Sequence, residues 1–286
     1  MSTAYFKGEF MPLDAVRVSP LDRGYLLGDG VYEVVPVYGE RLFCIDAHLD
    51  RLEQSLSAVA MDNPLSRSGW VQMLNALIAR NGGGDQSVYF QVTRGEAPRN
   101  HAFPRGVSPL VFAMSKPTPA RTAPEPVSAV CRTDNRWGRC NIKAIAMLPN
   151  VLLRQEAVSA GAGEAILLRD GHVTEGAASN VFVAADGVLR TTPKGPKILA
   201  GITRDVALEL AVAAGIEFEE SEIPESMLRA ADEIWVTSSS MEISPVVRLD
   251  GRPVGEGAAG PLWREIYQRF RAFKRDLAEA PGARIT

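Results

Sequence analysis

The chain has 286 residues, which exceeds one small domain and suits two domains around substantial apolar cores. Hydrophobic residues make up 46% and charged residues 23%, and the formal net charge is −3, so neither nucleic acid nor an anionic membrane surface is an expected partner. The opening Met1-Ser2-Thr3-Ala4-Tyr5-Phe6-Lys7 lacks the basic start and apolar run of a signal peptide, and no stretch is apolar for long enough to cross a bilayer. Cys44, Cys131 and Cys140 are odd in number and lack metal-ligand spacing. Neither a disulfide framework nor a metal site is expected, and a reducing cytoplasm is the simplest home.

In chain order, glycines flank Asp29 ahead of the extended run Val31-Tyr32-Glu33-Val34-Val35. Leu49, Leu52, Leu56 and Val59 then recur at helical spacing, with Asp46 a suitable N-cap. A second helix is predicted from Trp70 to Arg80, stopped by Asn81-Gly82-Gly83-Gly84, and a half-buried strand from Val88 to Thr93. Four prolines between Lys116 and Pro126 read as a stiff linker, which divides the chain into an N-terminal α/β domain (1–116), a linker (117–126) and a C-terminal α/β domain (127–286). Beyond it come a helix from Val151 to Ala160, turn-linked pairs around Asp170-Gly171 and Asp186-Gly187, and a helix from Thr203 to Ala214 with Thr203 suited to cap it. A strand at Ile234–Thr237 and an amphipathic helix from Pro261 to Leu277 complete the chain.

Five segments contain residues suited to chemistry, and each taken alone also has an ordinary structural reading. Lys143 lies in Asn141-Ile142-Lys143-Ala144-Ile145-Ala146: burial would leave it a neutral amine fit for Schiff-base chemistry, whereas a strand-end lysine would simply snorkel to water. Glu175, beside Gly176-Ala177-Ala178-Ser179-Asn180, could sit under a ring nitrogen or be a solvated hairpin acid. The loop Gly195 to Gly201 opens onto a helix at Ile202 and Thr203, a natural phosphate seat or a plain helix start. Thr237-Ser238-Ser239-Ser240 is a second run of donors, or a serine-rich turn. In Pro98-Arg99-Asn100-His101, an extended chain would aim Arg99 and His101 the same way, suiting a carboxylate; the other reading is a basic surface loop.

Taken in order, Asp22-Arg23-Gly24-Tyr25, Gly28-Asp29-Gly30-Val31-Tyr32-Glu33-Val34, His48-Leu49-Asp50-Arg51-Leu52, Ile142-Lys143, Thr174-Glu175-Gly176 with Ser179-Asn180, and Gly201-Ile202-Thr203-Arg204 form a series. It resembles the fold type IV pyridoxal-phosphate enzymes from about Tyr5 to the last helix. The resemblance implies a two-domain α/β homodimer that binds pyridoxal 5′-phosphate. Lys143 would form the Schiff base, Glu175 would pair with the pyridine nitrogen, Arg51, Ile202, Thr203 and Ser239 would hold the phosphate with Ser238 alongside, and Arg136 would lie near the cofactor.

Within the group the chain is most similar to the D-amino acid aminotransferases. That branch binds the α-carboxylate with a tyrosine, here Tyr32, and with an Arg-x-His pair from the neighbouring subunit, here Arg99 and His101. Tyr89-Phe90-Gln91-Val92-Thr93-Arg94-Gly95 fits the same branch. The expected reaction is transamination between D-amino acids and 2-oxo acids. The alternatives are a branched-chain L-amino acid or R-amine transaminase, an aminodeoxychorismate lyase, or a non-catalytic binding protein on the same scaffold. One departure is that Ala177 and Ala178 stand where relatives often have hydroxyl side chains.

Overall fold

A computed structural model describes residues 2–119 and 124–279. Within these, the chain folds as two compact units: residues 2–119 with 142–146 and 277–279, and residues 124–141 with 147–276. The sequence places Lys143 in a C-terminal domain starting at residue 127, whereas Ile142–Ala146 pack in the first unit. The reason is an open strand edge at residues 30–33, whose backbone groups bond to Lys143 and Ile145. Of the expected linker, residues 120–123 lie outside the described residues.

The first unit contains strands β1 (Thr3–Phe6), β2 (Glu9–Pro12), β3 (Gly30–Tyr38), β4 (Arg41–Leu42), β5 (Gln86–Thr93) and β6 (Leu110–Pro117), in the antiparallel order β2-β1-β6-β5-β3-β4. Its helices are α1 (Arg23–Leu27), α2 (Ile45–Ala58) and α3 (Arg67–Arg80). Val31, Val35, Val88, Phe90 and Val92 alternate inward from β3 and β5, and Leu49, Leu52, Leu56, Leu74 and Leu77 meet them from the helices. Helix α2 begins at Ile45, after Cys44 in a left-handed conformation. Asp46 therefore lies in the first turn, where its charge suits the helix dipole, and is not the cap. Helix α3 starts at Arg67, earlier than its apolar pattern, because the Ser66 side chain accepts from Gly69 N–H.

The second unit contains β7 (Val127–Thr133), α4 (Leu148–Ser159), β8 (Glu164–Arg169), β9 (His172–Gly176), β10 (Asn180–Ala185), β11 (Val188–Thr191), α5 (Ile202–Ala213), β12 (Phe218–Glu220), α6 (Glu225–Arg229), β13 (Glu233–Ser238), β14 (Glu242–Leu249), β15 (Arg252–Pro253) and all but the last three residues of α7 (Pro261–Glu279). Its nine-stranded mixed sheet runs β12-β11-β10-β13-β14-β7-β8-β9, with β15 on β14. Asp170-Gly171 and Asp186-Gly187 both take positive φ and link β8 to β9 and β10 to β11, as two-residue hairpin turns require. Among the described residues, no helix is long and apolar enough to cross a membrane.

The end of α3 is tied to the first strand by one side chain. Asn81 Oδ1 accepts from Thr3 N–H at 2.7 Å, and its amide donates to the Thr3 carbonyl at 2.9 Å and to Ser115 Oγ at 2.8 Å. Asn81→Ala strips these bonds from partly buried groups and is expected to cost about 1–3 kcal/mol. A shift in the midpoint of urea denaturation measures it, and an unchanged midpoint would contradict the tie.

Candidate active site

Lys143 is clamped through its main chain. Its carbonyl accepts from Tyr32 N–H at 2.9 Å, Ile145 N–H donates to the Gly30 carbonyl at 3.0 Å, and Ala144 bridges to Val31. Its own N–H donates to Ser55 Oγ at 3.3 Å, and the neighbouring Ile142 side chain is buried in the first unit's core. Both neighbours of the lysine are thus committed, and the half-buried side chain lies with Nζ 4.2 Å from the centroid of the Tyr32 ring. Tyr32 in turn stacks on Tyr89 at 5.6 Å, and the Tyr89 hydroxyl donates to Gln91 at 2.7 Å. Burial, with Tyr32 beside it, pushes the Tyr89 phenol up to about 12, so it stays a neutral donor.

Beneath this pair lies a fully buried acid. Glu33 accepts from Arg51 Nε at 2.8 Å and Nη2 at 2.7 Å, and from His48 Nδ1 at 2.8 Å. Burial alone would raise the Glu33 carboxyl, but the Arg51 fork and His48 overcome it and hold the group well below the usual carboxylate range. Burial lowers His48, and the Arg51 charge adds to that despite Glu33. The neutral ring must then carry its proton on Nδ1, while Nε2 is buried with no hydrogen-bond partner among the described residues. Arg51, expected at the phosphate, thus has its guanidinium plane set by Glu33. The expected sites did not include Glu33, His48 and Ser55. An acid inside the apolar run Val31–Val35 and a His–Arg pair at i, i+3 on the apolar side of a helix were the readable signals.

In the second unit, Glu175 is the penultimate residue of β9 and is buried. Its Oε1 accepts from Arg136 Nη1, and its Oε2 from Leu199 N–H at 2.9 Å and Asn180 Nδ2 at 3.1 Å. Arg136 is forked on Asp134, with Nε–Oδ1 and Nη2–Oδ2 both 2.9 Å, and Thr174 Oγ1 donates to Asp134 at 2.8 Å. Burial raises the Glu175 carboxyl to about 7 even against Arg136 and Leu199 N–H, which oppose it. A further cation or charged N–H at its remaining lone pairs would draw it back to the ionised form.

Asn180 connects this acid to the adjoining loop: the same Nδ2 donates to the Leu199 carbonyl at 2.8 Å, and a Cβ at Gly201 would collide with its Oδ1. Helix α5 starts directly after, at Ile202, with Gly201 as N-cap; Thr203 is in the first turn and is not the cap. Ile202 and Thr203 thus lie in the first turn of α5, where a helix leaves backbone N–H donors without intrahelical partners. Across the sheet Asn180 pairs with Thr237, whose buried Oγ1 has no hydrogen-bond partner among the described residues. Ser238 Oγ accepts from Met241 N–H at 3.1 Å and lies 3.3 Å from Ser240 Oγ, and Ser239 stands half-buried in the following turn. A buried acid, an orphaned hydroxyl and a helix N-terminus in one unit suit a protonated ring nitrogen and a phosphate, so this half of the donor set fits pyridoxal 5′-phosphate. The Ala177-Ala178 turn is held without side-chain hydroxyls of its own, by Ala177 N–H to Ala165 O at 2.9 Å, Asn150 Nδ2 to Ala177 O at 2.8 Å and Ser179 Oγ to Glu164 at 2.8 Å.

Arg99 and His101 are exposed in the first unit. The segment from Pro98 is a bent loop and not an extended strand, because the carbonyls of Asn100, His101 and Ala102 turn toward one guanidinium, that of Arg23.

Residues 30–249 match the amino-transferase class IV family. The chain belongs to the class IV aminotransferases. It is 41% identical to a D-alanine aminotransferase of Bacillus licheniformis over 91% of this chain and 93% of that relative. A D-alanine aminotransferase of Staphylococcus haemolyticus is 38% identical over 96% of this chain and 98% of its own. Among solved structures, the branched-chain amino acid aminotransferase of Escherichia coli superposes with a TM-score of 0.89 at 27% identity, covering 95% and 94% of the two chains.

The Glu33–His48 pair gives this class IV chain a defined acid response. Both groups sit below their ordinary values when folded, so the unfolded chain takes up protons first and stability is lost as pH falls. The loss begins below pH 6.5 through His48 and deepens below pH 4.5 through Glu33. His48→Asn keeps a donor toward Glu33 without a titrating ring. It is expected to flatten the fall in Tm between pH 6.5 and 4.5, and an unaltered slope would remove His48 as its source.

Proposed function

We propose that this chain is a D-amino acid aminotransferase that transfers the amino group to a 2-oxo acid, with Lys143 as its catalytic base. The observation that carries the chemistry is the clamped lysine, whose amine stands over the Tyr32 ring while its main chain is held on β3. The D-amino acid class is supported by the two D-alanine aminotransferases similar over nearly their whole length. The branched-chain reading is supported by a structure at 27% identity, below the 41% and 38% of the D-alanine aminotransferases, and the Arg99-x-His101 pair argues for the D class.

Bound pyridoxal 5′-phosphate supplies an electron sink for the negative charge that develops at the substrate's Cα. Lys143 Nζ takes the Cα proton and returns it during exchange. Glu175, steadied by Arg136, Asn180 and Leu199 N–H, holds a proton at the ring nitrogen. Arg51, Ile202, Thr203 and Ser239 would hold the phosphate, Ile202 and Thr203 partly through backbone N–H groups, with Ser238 as a further donor. Tyr32 and the Arg99–His101 pair fix the α-carboxylate, the pair reaching the site of a second copy in a homodimer. The exposed Leu148, Val151, Leu152 and Val158 of α4 offer an apolar stripe for a partner surface. A cytoplasmic location suits three cysteines that form no disulfide.

The deciding measurement adds D-alanine and L-leucine separately to the purified enzyme carrying its cofactor. The visible absorption of the cofactor is expected to change with D-alanine and not with L-leucine; the reverse result would move the chain to the branched-chain class. Lys143→Ala is expected to lower turnover by about 10²–10⁴-fold or more with the fold intact. Turnover near the parent's, with folding verified by circular dichroism, would displace Lys143 from its role.

A further inference from the structure

Arg23, Asp29 and Arg94 form a charge cluster in the first unit that no step of the reaction uses. Asp29 Oδ2 accepts from Arg23 Nε and from Arg94 Nε, both at 2.8 Å. One carboxylate is shared by two largely buried guanidiniums, so their remaining N–H groups need other acceptors. Arg94 sends its Nη1 and Nη2 to the carbonyls of Ala60 and Val59, at 2.9 and 2.7 Å, in the turn that follows α2. Arg23 sends its pair to the loop after Pro98: Nη1 to Asn100 O at 2.5 Å and Ala102 O at 3.3 Å, Nη2 to His101 O at 3.5 Å. Phe103, 59% exposed, closes the loop by stacking on the Arg94 guanidinium at 3.7 Å.

The backbone around the cluster is stitched on the same scale. Arg23 N–H donates to Gly95 O at 2.9 Å, Arg94 N–H to Asp29 O at 3.1 Å, and Ala97 N–H to Leu21 O at 3.2 Å. Asp22 caps α1 and also accepts from the Thr93 hydroxyl at 2.8 Å. Gly95 has φ +95°, and a Cβ there would collide with the Ser108 carbonyl oxygen, so the chain can turn into the loop at this point only with glycine. Three successive inward carbonyls and one anchored ring leave the loop little freedom where Arg99 and His101 emerge.

We propose that the Asp29–Arg23–Arg94 cluster, with Phe103, is a positioning device that presets the Arg99–His101 loop for the substrate's carboxylate. This rests on the reading of Arg99 and His101 as the carboxylate pair. A loop ordered before binding spends no substrate affinity on its own ordering, so the cluster acts on KM and not on the proton transfer at Lys143.

The test uses the enzyme carrying its cofactor, with three variants: Asp29→Asn, Phe103→Leu and Arg99→Ala. Two quantities are read: KM and kcat for D-alanine, and the Kd of propionate, a carboxylate without an amino group, by titration calorimetry. Asp29→Asn is expected to raise both KM and Kd roughly tenfold, with Phe103→Leu and Arg99→Ala changing them in the same direction, and kcat of Asp29→Asn and Phe103→Leu staying within about twofold. Phe103 is exposed, so its variant decides the matter if Asp29→Asn does not fold. If Arg99→Ala raises both constants while Phe103→Leu and folded Asp29→Asn leave them unmoved, the carboxylate reading stands and the positioning device is overturned. A loss of Tm or kcat alone in the cluster variants overturns it as well, since that is the signature of a merely structural tie. If Arg99→Ala itself changes neither constant, the carboxylate reading falls and takes the device with it.

Discussion

The feature on which the catalytic arrangement depends is an incomplete strand edge. On its outer side β3 pairs with β4 only at Val37 and Tyr38, so no strand of the sheet covers the stretch from Gly30 to Glu33 on that side. Buried backbone groups demand partners, and an open edge recruits any extended segment that can supply them. Ile142–Ala146 fills it, giving Tyr32 N–H an acceptor and Gly30 O a donor. Lys143 therefore stands beside Tyr32 although about 110 residues of chain separate them, and the hydrogen bonds that finish the sheet are the ones that aim the lysine.

Buried arginines do comparable work in three places. Glu33, Asp29 and Asp134 each take a guanidinium through Nε, and at Asp29 and Asp134 the rest of the fork reaches a second target. Arg94 reaches the turn after α2, and Arg136 reaches Glu175. A lysine could not substitute, because its point charge cannot satisfy two acceptors in one fixed plane. Burying these ions costs solvation that their attraction only partly recovers, so their contribution is to geometry more than to stability. Glu175 shows the balance most directly: burial moves it up to about 7, and the Arg136 it shares with Asp134 opposes the rise.

The motifs that name the family were legible because each combines a residue type and a spacing that chemistry demands, and their order along the chain carries information that no single one has. Short-range detail was less legible. Asp46 and Thr203 are good capping residues, yet Cys44 and Gly201 hold the cap positions, since the incoming chain direction decides which residue is first to turn. Arg99 and His101 read as alternating residues of an extended segment, and the pull of Arg23 on three consecutive carbonyls bends it. Asn180 was visible as a residue but not as the amide that joins Glu175 to the loop before α5, because its partner at Leu199 is a backbone carbonyl and leaves no trace in residue identity.

The amino-acid sequence by itself determined the family, the alternation of strands and helices, and the kinds of side chain available for a carboxylate, a phosphate and a proton. Those follow from local pattern and from the chemistry of individual residues, which travel with the chain however it folds. Tertiary structure alone decided that Lys143 belongs to the unit of residues 2–119, that Glu33 underlies Arg51 and that one aspartate anchors two arginines near the Arg99 loop. Each of these joins groups distant in sequence through backbone edges and shared carboxylates, and such partnerships exist only once desolvation forces every buried donor and charge to find an acceptor.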